Sequence, residues 1–290
     1  MLLEFDADQR LWQETVRDAV SKQCPASLIR DIAENGVDPA SLWNSYVEAG
    51  WTELTDQDNA VELAIVLEEL GRVTDPTPML ATLTQFAPLV GDRFDPLSAG
   101  AAVDSGVRGS RDAQGCVLTG TGRIVLDGDR AERMAVVTPA GVFLVDLRAD
   151  AANVTTRRVD VFDPVLHVAE VSLVGVRVAD TERLPAATER ARHVALMGMA
   201  ITMVGACQRI LDLALEHAKS RQQFGAAIGT FQAIQHKATD MHVAIERARA
   251  LCYFSALTIA ADDPRRRLAA AMAKASAGEC QALVFRHGLQ

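Results

Sequence analysis

The chain has 290 residues, of which 49% are hydrophobic and 23% charged, enough apolar material for one compact unit of two or three layers with subdomains. Its formal charge of −9 and pI near 5.2 exclude a general nucleic-acid or anionic-membrane surface, since both need clustered Lys and Arg. Five cysteines (Cys24, Cys116, Cys207, Cys252 and Cys280) are odd in number and lack metal-site spacing, so no metal centre is expected; the apolar settings of Cys207 and Cys252 suggest reduced, buried thiols.

Glu4, Asp6 and Asp8 follow Met1-Leu2-Leu3 at once, unlike a signal peptide, so a cytoplasmic protein is expected. Residues 7–23 place Leu11, Trp12, Thr15, Val16, Ala19 and Val20 at helical spacing, and Pro25 ends the pattern. Asp38-Pro39 reads as an N-cap followed by proline at the first helical position, before Leu42, Trp43, Tyr46 and Val47. A third helix runs from Ala60 to Leu70, with Gly71 closing it. On residue types alone Glu68-Glu69 is a solvated face, and Trp12, Trp43 and Trp51 are core anchors. Pro76, Pro78, Pro88 and Pro96 then mark a connector with one short helix near residues 79–87.

Between residues 100 and 180 the β-branched runs Val117-Leu118, Arg123 to Leu126, Met134 to Val137, Val142 to Val145 and Val168 to Val178 predict a small, mostly antiparallel β domain. From about residue 185 the pattern is helical again. Its longest apolar run, Val194 to Cys207, is short for a membrane span and rich in Gly and Ala. The break at Asp262-Asp263-Pro264 is followed by Arg265, Arg266 and Arg267, read as a solvated patch or, second to that, a phosphate site. The fold class is α+β, mainly α, in three expected domains: N-terminal helices (1–87), a connector and middle β domain (88–184) and a C-terminal four-helix bundle (185–290).

Residues 221–235 join two long helical patterns. Gly225 and Gly229 let the chain turn and Thr230 is the expected N-cap of the second helix. Arg221 can fork onto a phosphate, Phe224 can lie flat on a ring, and Gln232 and Gln235 can hydrogen-bond nearby, so this corner suits one end of a nucleotide. The same residues also fit a structural role, with Arg221 favoured by the helix dipole and Phe224 anchored in the core.

Arg-x-x-Phe-Gly at 221–225, Phe-Gln-x-x-Gln at 231–235 and then Asp240-Met241 resemble the signature of the acyl-CoA dehydrogenase family, flavoproteins that introduce a double bond next to a thioester. Glu48-Ala49-Gly50-Trp51 and Leu67 to Arg72 also resemble the family's N-terminal helices, and the resemblance covers nearly the whole chain, weakest over residues 88–115. It implies FAD as cofactor, an acyl-CoA substrate, and a glutamate that takes the α-proton while the β-hydride goes to the flavin. One family location for that glutamate is a C-terminal loop beyond residue 290. The other is twenty-nine positions before the motif phenylalanine, which here is Ala195, followed by Leu196 where many members have Arg. No catalytic residue is therefore assigned.

The segment from Gly120 to Leu126 resembles the family's flavin strand, but Gly122, Ile124 and Leu126 stand where a Lys, an aromatic and a Thr are expected. By contrast, the corner that the family uses for a neighbour's flavin is retained in Arg221, Phe224, Gln232 and, at the start of a Gln-x-x-Gly-Gly-like segment, Gln290. The resemblance thus implies a subunit of a heteromeric acyl-CoA dehydrogenase, similar to the short chains that actinobacteria pair with a second subunit to oxidise bulky, including steroid-derived, CoA thioesters. FAD would be shared with that partner. Two alternatives stand beside it: a self-sufficient homo-oligomeric dehydrogenase with its base beyond residue 290, and a flavin-free binding protein of the same fold.

Overall fold

A computed structural model describes residues 4–184 and 188–290. Its contacts divide the chain into two compact units: one holds the N-terminal residues to Leu28, Asp56–Asp75 and Leu196–Gln290, the other Ile29–Thr55 and Pro76–Ala195.

In the first unit α1 (Ala7–Gln23) opens with a capping box, in which the Gln9 amide donates to Asp6 at 2.8 Å and the Gln9 side chain accepts from the Asp6 amide at 3.4 Å. It ends at Cys24, before Pro25, as the spacing predicts. The next helix of this unit, α4 (Ala60–Val73), is buried on nearly every side. Gly71 does not close it. A Cβ at Gly71 would come 2.2 Å from the Thr202 carbonyl, and one at Gly205 would come 2.0 Å from the Glu68 carbonyl, so the two glycines let α4 and α6 (Thr188–Ser220) cross at backbone contact. The helix is closed by Thr74 in the left-handed conformation, φ 59°.

α6, α7 (Gln232–Ala260) and α8 (Arg266–Gly288) supply the rest of this unit, with Cys207, Cys252 and Cys280 in its core. All five cysteines are free and buried. Burial and the charge of Asp75 push the Cys24 thiol up to about 12, so it is inert at neutral pH. By length and composition α6 is apolar enough to cross a membrane, contrary to the expectation for Val194 to Cys207; half of its most apolar stretch is buried within the protein.

The second unit contains α2 (Ala26–Asn35) from Ile29 onward, α3 (Ala40–Glu48) and α5, a helical stretch over residues 79–90. Sequence reading missed α2, because a proline at 25 terminates one helix and starts the next equally well. The cap of α3 is Pro39 and not the expected Asp38, whose carboxylate still accepts from the Ala40 amide at 2.9 Å, one residue ahead of the cap. Tyr46 and Trp51 stack with centroids 4.8 Å apart. Within α5 the segment Thr82–Phe86 is π-helical, and the wider turn carries the chain past Pro88, which has no amide to donate.

The β domain is two four-stranded sheets. One has the order β1-β4-β5-β8, with β1 (Gly100–Val103) parallel to β4 (Arg133–Thr138), and β5 (Gly141–Asp146) and β8 (Arg183–Leu184) antiparallel. The other has the order β2-β3-β7-β6 and is antiparallel throughout: β2 (Val107–Asp112), β3 (Gly115–Leu126), β7 (Val168–Val178) and β6 (Val154–Arg158). Leu118, Met134, Phe143 and Leu173 fill the layer between them. β1, β2 and β8 are short or polar and carry no β-branched run, whereas β6 carried one in Val154-Thr155-Thr156 that the sequence reading passed over.

Candidate functional site: a hairpin corner between two helices

α6 ends at Ser220, and the chain makes a hairpin before α7. Gln222–Gln223 pair antiparallel with Ala226–Ala227, leaving Phe224 and Gly225 as a two-residue loop with φ 53° and 82°. Positive φ at both loop residues is the type I′ geometry, whose twist suits a tight hairpin. Glycine adopts it freely, whereas phenylalanine is strained there by about 1–2 kcal/mol. The residue is also 94% exposed, with the Phe231 ring edge-on to its own at 6.1 Å between centroids. The core-anchor role for Phe224 is therefore excluded.

Arg221 lies one residue past the end of α6 and is exposed, and among the described residues no carboxylate pairs with it. Its carbonyl accepts from the Ile228 amide at 2.9 Å, which closes the loop at its base. Thr230 is not the cap of α7; its hydroxyl donates to the Ala227 carbonyl at 2.7 Å within a short 3-10 turn, and Phe231 takes the cap position with no capping side chain. The Ile234 and Gln235 amides donate to the Phe231 carbonyl at 3.0 and 3.2 Å, which leaves the Gln232 and Ala233 amides of the first turn to solvent or a ligand. Gln232 is the exposed first residue of α7, and Gln235 donates to the Gly229 carbonyl at 3.0 Å, bracing the turn. At the far end of α8, Gln290 accepts from Lys237 at 2.7 Å. That bond brings the C-terminal residue to the first turns of α7, so all four predicted site residues lie at one end of the helices.

What fixes α6 and α7 behind this corner is a buried charge network that the sequence reading missed. Glu68 and Glu69 do not form a solvated face; they are 3% and 2% exposed. Glu68 accepts from Arg249 at 2.8 Å and from the Tyr253 hydroxyl at 2.7 Å, while Glu69 accepts two bonds from Arg17 at 3.1 and 2.7 Å. Arg72 pairs with Asp212 at 2.7 Å, and Arg249 also bonds Gln208 at 2.8 Å and Glu246. Arg17, Glu68, Arg72, Gln208, Arg249 and Tyr253, on α1, α4, α6 and α7, line a cleft of about 430 Å³ together with Phe5. Burial and the Glu68 charge push the Tyr253 hydroxyl well above its ordinary value, so it remains a donor. Every carboxylate has a partner, so the cleft orders helices and presents no unpaired anion. The available signal was that α4 is apolar all round, which leaves no solvated side for its charges.

The Asp-Asp-Pro-Arg break is likewise self-contained: Arg265 forks onto Asp263 at 2.7–3.2 Å and Arg266 reaches Asp262 at 3.2 Å, which supports the solvated-patch reading. Among the described residues no cluster of His, Cys, Asp or Glu is suited to a metal.

The residues present fit FAD in part. The corner offers an unpaired guanidinium, helix-terminal amides and an exposed ring, suited to a pyrophosphate and an adjoining planar group. The chain's own β3 does not fit. A side chain at Gly122 would come 2.3 Å from Val103, and Ile124, in the bulge between Gly122 and Val125, is aliphatic and 83% exposed. Ala195 and Leu196, on α6, have no group that can move a proton.

The comparisons with known proteins agree with this architecture. A family described as "Acyl-CoA dehydrogenase, C-terminal domain" matches residues 186–290. The acyl-CoA dehydrogenase IpdE2 of Mycobacterium tuberculosis is 31% identical over 260 residues, covering 84% of this chain and 74% of its own length. Among solved structures, the ChsE4-ChsE5 complex of Mycobacterium tuberculosis superposes with a TM-score of 0.87 at 19% identity, covering 99% of this chain and 87% of that one. The Tcur3481-Tcur3483 steroid ACAD G363A variant superposes with a TM-score of 0.84 at 24% identity, covering 97% of this chain and 85% of that one. With the helical corner, the two-sheet β domain and a relative matched along most of both chains, the protein belongs to the acyl-CoA dehydrogenase family of flavin-dependent oxidoreductases.

Proposed function

We propose that this chain is the non-catalytic subunit of a heteromeric, cytoplasmic acyl-CoA dehydrogenase that desaturates a bulky acyl-CoA thioester, and that it completes the flavin site of a second subunit. The observation that carries this reading is Phe224, held in a strained conformation with 94% of its surface exposed beside an unpaired Arg221. Nothing in the chain's own fold benefits from either feature, so both are directed at something outside it. The ChsE4-ChsE5 and Tcur3481-Tcur3483 structures are named as paired chains, and the second as a steroid enzyme, which supports a paired assembly and a steroid-derived thioester as the substrate class.

In this assembly Arg221 and the Gln232 and Ala233 amides would neutralise the pyrophosphate of FAD, Phe224 would pack on the cofactor, and Gln232 and Gln290 would donate or accept at its edge. FAD, when bound, accepts the hydride that leaves the substrate's β-carbon. Ala195 moves no proton, and in this reading the α-proton would be taken by a base on the other subunit. Phe224 and Phe231 together exclude water from this end of the cofactor.

Expression of the chain alone and together with a neighbouring acyl-CoA dehydrogenase subunit, followed by mass and flavin absorbance, tests this. Flavin is expected only in the mixed oligomer, and Arg221→Ala is expected to lower its occupancy while leaving the chain folded. Flavin bound by the lone chain, or full occupancy in the Arg221→Ala complex, would overturn the proposal.

A further inference from the structure

The hairpin corner uses its acceptors on itself and keeps its donors. The Arg221 carbonyl accepts from the Ile228 amide at 2.9 Å, the Ala227 carbonyl from the Thr230 hydroxyl at 2.7 Å, and the Gly229 carbonyl from the Gln235 side chain at 3.0 Å. The Arg221 guanidinium and the Gln232 and Ala233 amides stay available. Lys237 joins this set from the second turn of α7. Its half-buried side chain donates to Gln290 Oε1 at 2.7 Å, and among the described residues it pairs with no carboxylate, although Asp240 stands three positions along the helix. An ammonium can only donate, so the carboxamide oxygen of Gln290 is the atom that faces it and the nitrogen is the atom left for a ligand. The segment that carries Gln290 is seated as well. The Leu289 amide donates to the Phe285 carbonyl at 3.2 Å, and a Cβ at Gly288 would come 2.6 Å from Ile210 Cγ2, so a glycine lets the end of α8 lie this close to α6.

We infer that Lys237 is a positioning residue of the flavin site. It fixes the Gln290 carboxamide with Nε2 as the remaining donor and, with its own charge, makes this end of the helices a donor-only cradle for an anionic group, the pyrophosphate of FAD. A Lys–Gln bond adds little to stability, because two long side chains lose rotamer freedom to make it, so its consequence lies in which way the amide is turned. The identity of the anion rests on the proposed function; the polarity of the cradle rests on the bonds above.

Fluorescence titration of the flavin-depleted mixed oligomer with FAD tests it. Lys237→Met keeps the length of the side chain and removes its donor and charge. It is expected to leave the mass of the oligomer and its melting temperature unchanged and to weaken FAD roughly 10-fold, the effect of losing one charged hydrogen bond. Lys237→Arg is expected to restore most of that affinity. Gln290→Glu keeps an acceptor for Lys237 but replaces the free donor with an anionic oxygen, so it too is expected to weaken FAD. Wild-type affinity in Lys237→Met or in Gln290→Glu, while Arg221→Ala still loses flavin, would overturn this inference and leave the shared site standing. Failure of Lys237→Met to assemble, or a lowered melting temperature, would assign the lysine to the fold and overturn it. Weakened acyl-CoA binding with FAD affinity intact would give the cradle to the CoA pyrophosphate and overturn it as well, and a wild-type mixed oligomer that takes up no FAD would overturn both readings.

Discussion

Phe224 carries two costs at one position, a left-handed backbone and an exposed ring. Replacement by asparagine, which tolerates positive φ, removes both. Phe224→Asn is expected to leave the chain's stability unchanged or raise it by up to about 1 kcal/mol, while flavin occupancy of the mixed oligomer falls. Thermal melting and flavin absorbance read the two effects separately. A clear loss of stability would instead assign the ring to the fold, through its contact with Phe231. Asp263 behaves oppositely, as a residue whose partners lie within its own turn. The Arg265 side chain and amide hold its carboxyl below the ordinary 3.8, at about 2.

At the scale of elements, the crossing of α4 and α6 depends on two absent side chains. Gly205→Ala would place a methyl carbon 2.0 Å from the Glu68 carbonyl, and backbone cannot rotate aside as a side chain would. Overpacking of this kind typically costs about 1–3 kcal/mol, and it disturbs the helix that bears Gln208 and Asp212 of the charge network. Chemical denaturation is expected to show a lowered midpoint for Gly205→Ala. An unchanged midpoint would mean that the crossing is looser than backbone contact. Sequence spacing located α4 but assigned Gly71 to its end, because a helix-terminating glycine and a helix-crossing glycine look alike without the partner helix.

For the molecule as a whole, depressed carboxylates in both units set the acid limit of stability. In the β domain burial raises the Asp129 carboxyl, but the hydrogen bond from His167 at 2.8 Å and that residue's charge outweigh it, so its value is lowered. Asp263 is lowered in the helical unit. A carboxylate with a depressed folded value stabilises the fold above its unfolded value, and the contribution is lost as pH falls through the folded one. Melting temperature is therefore expected to stay level at mildly acidic pH and to fall below about pH 4. Asp129→Asn should flatten part of that fall in the β domain, followed by near-ultraviolet circular dichroism; an unaltered acid profile would place the acid sensitivity elsewhere.

Local chemistry was legible in the sequence. Helical spacing at 7–23 and 60–70, β-branched runs at 117–178, and the Arg-x-x-Phe-Gly turn each report a short-range physical demand that side chains impose on their own backbone. Family membership was legible too, since the corner motif spans fifteen consecutive positions in order. Only the tertiary structure decided that Phe224 faces solvent, that Glu68 and Glu69 pair with Arg249 and Arg17, and that Gln290 meets Lys237. Exposure and ion pairing depend on segments far apart in sequence, such as Glu68 and Arg249, separated by 181 residues. No local pattern encodes such a pair, because burying either charge is tolerable only once the other helix has supplied its counter-charge.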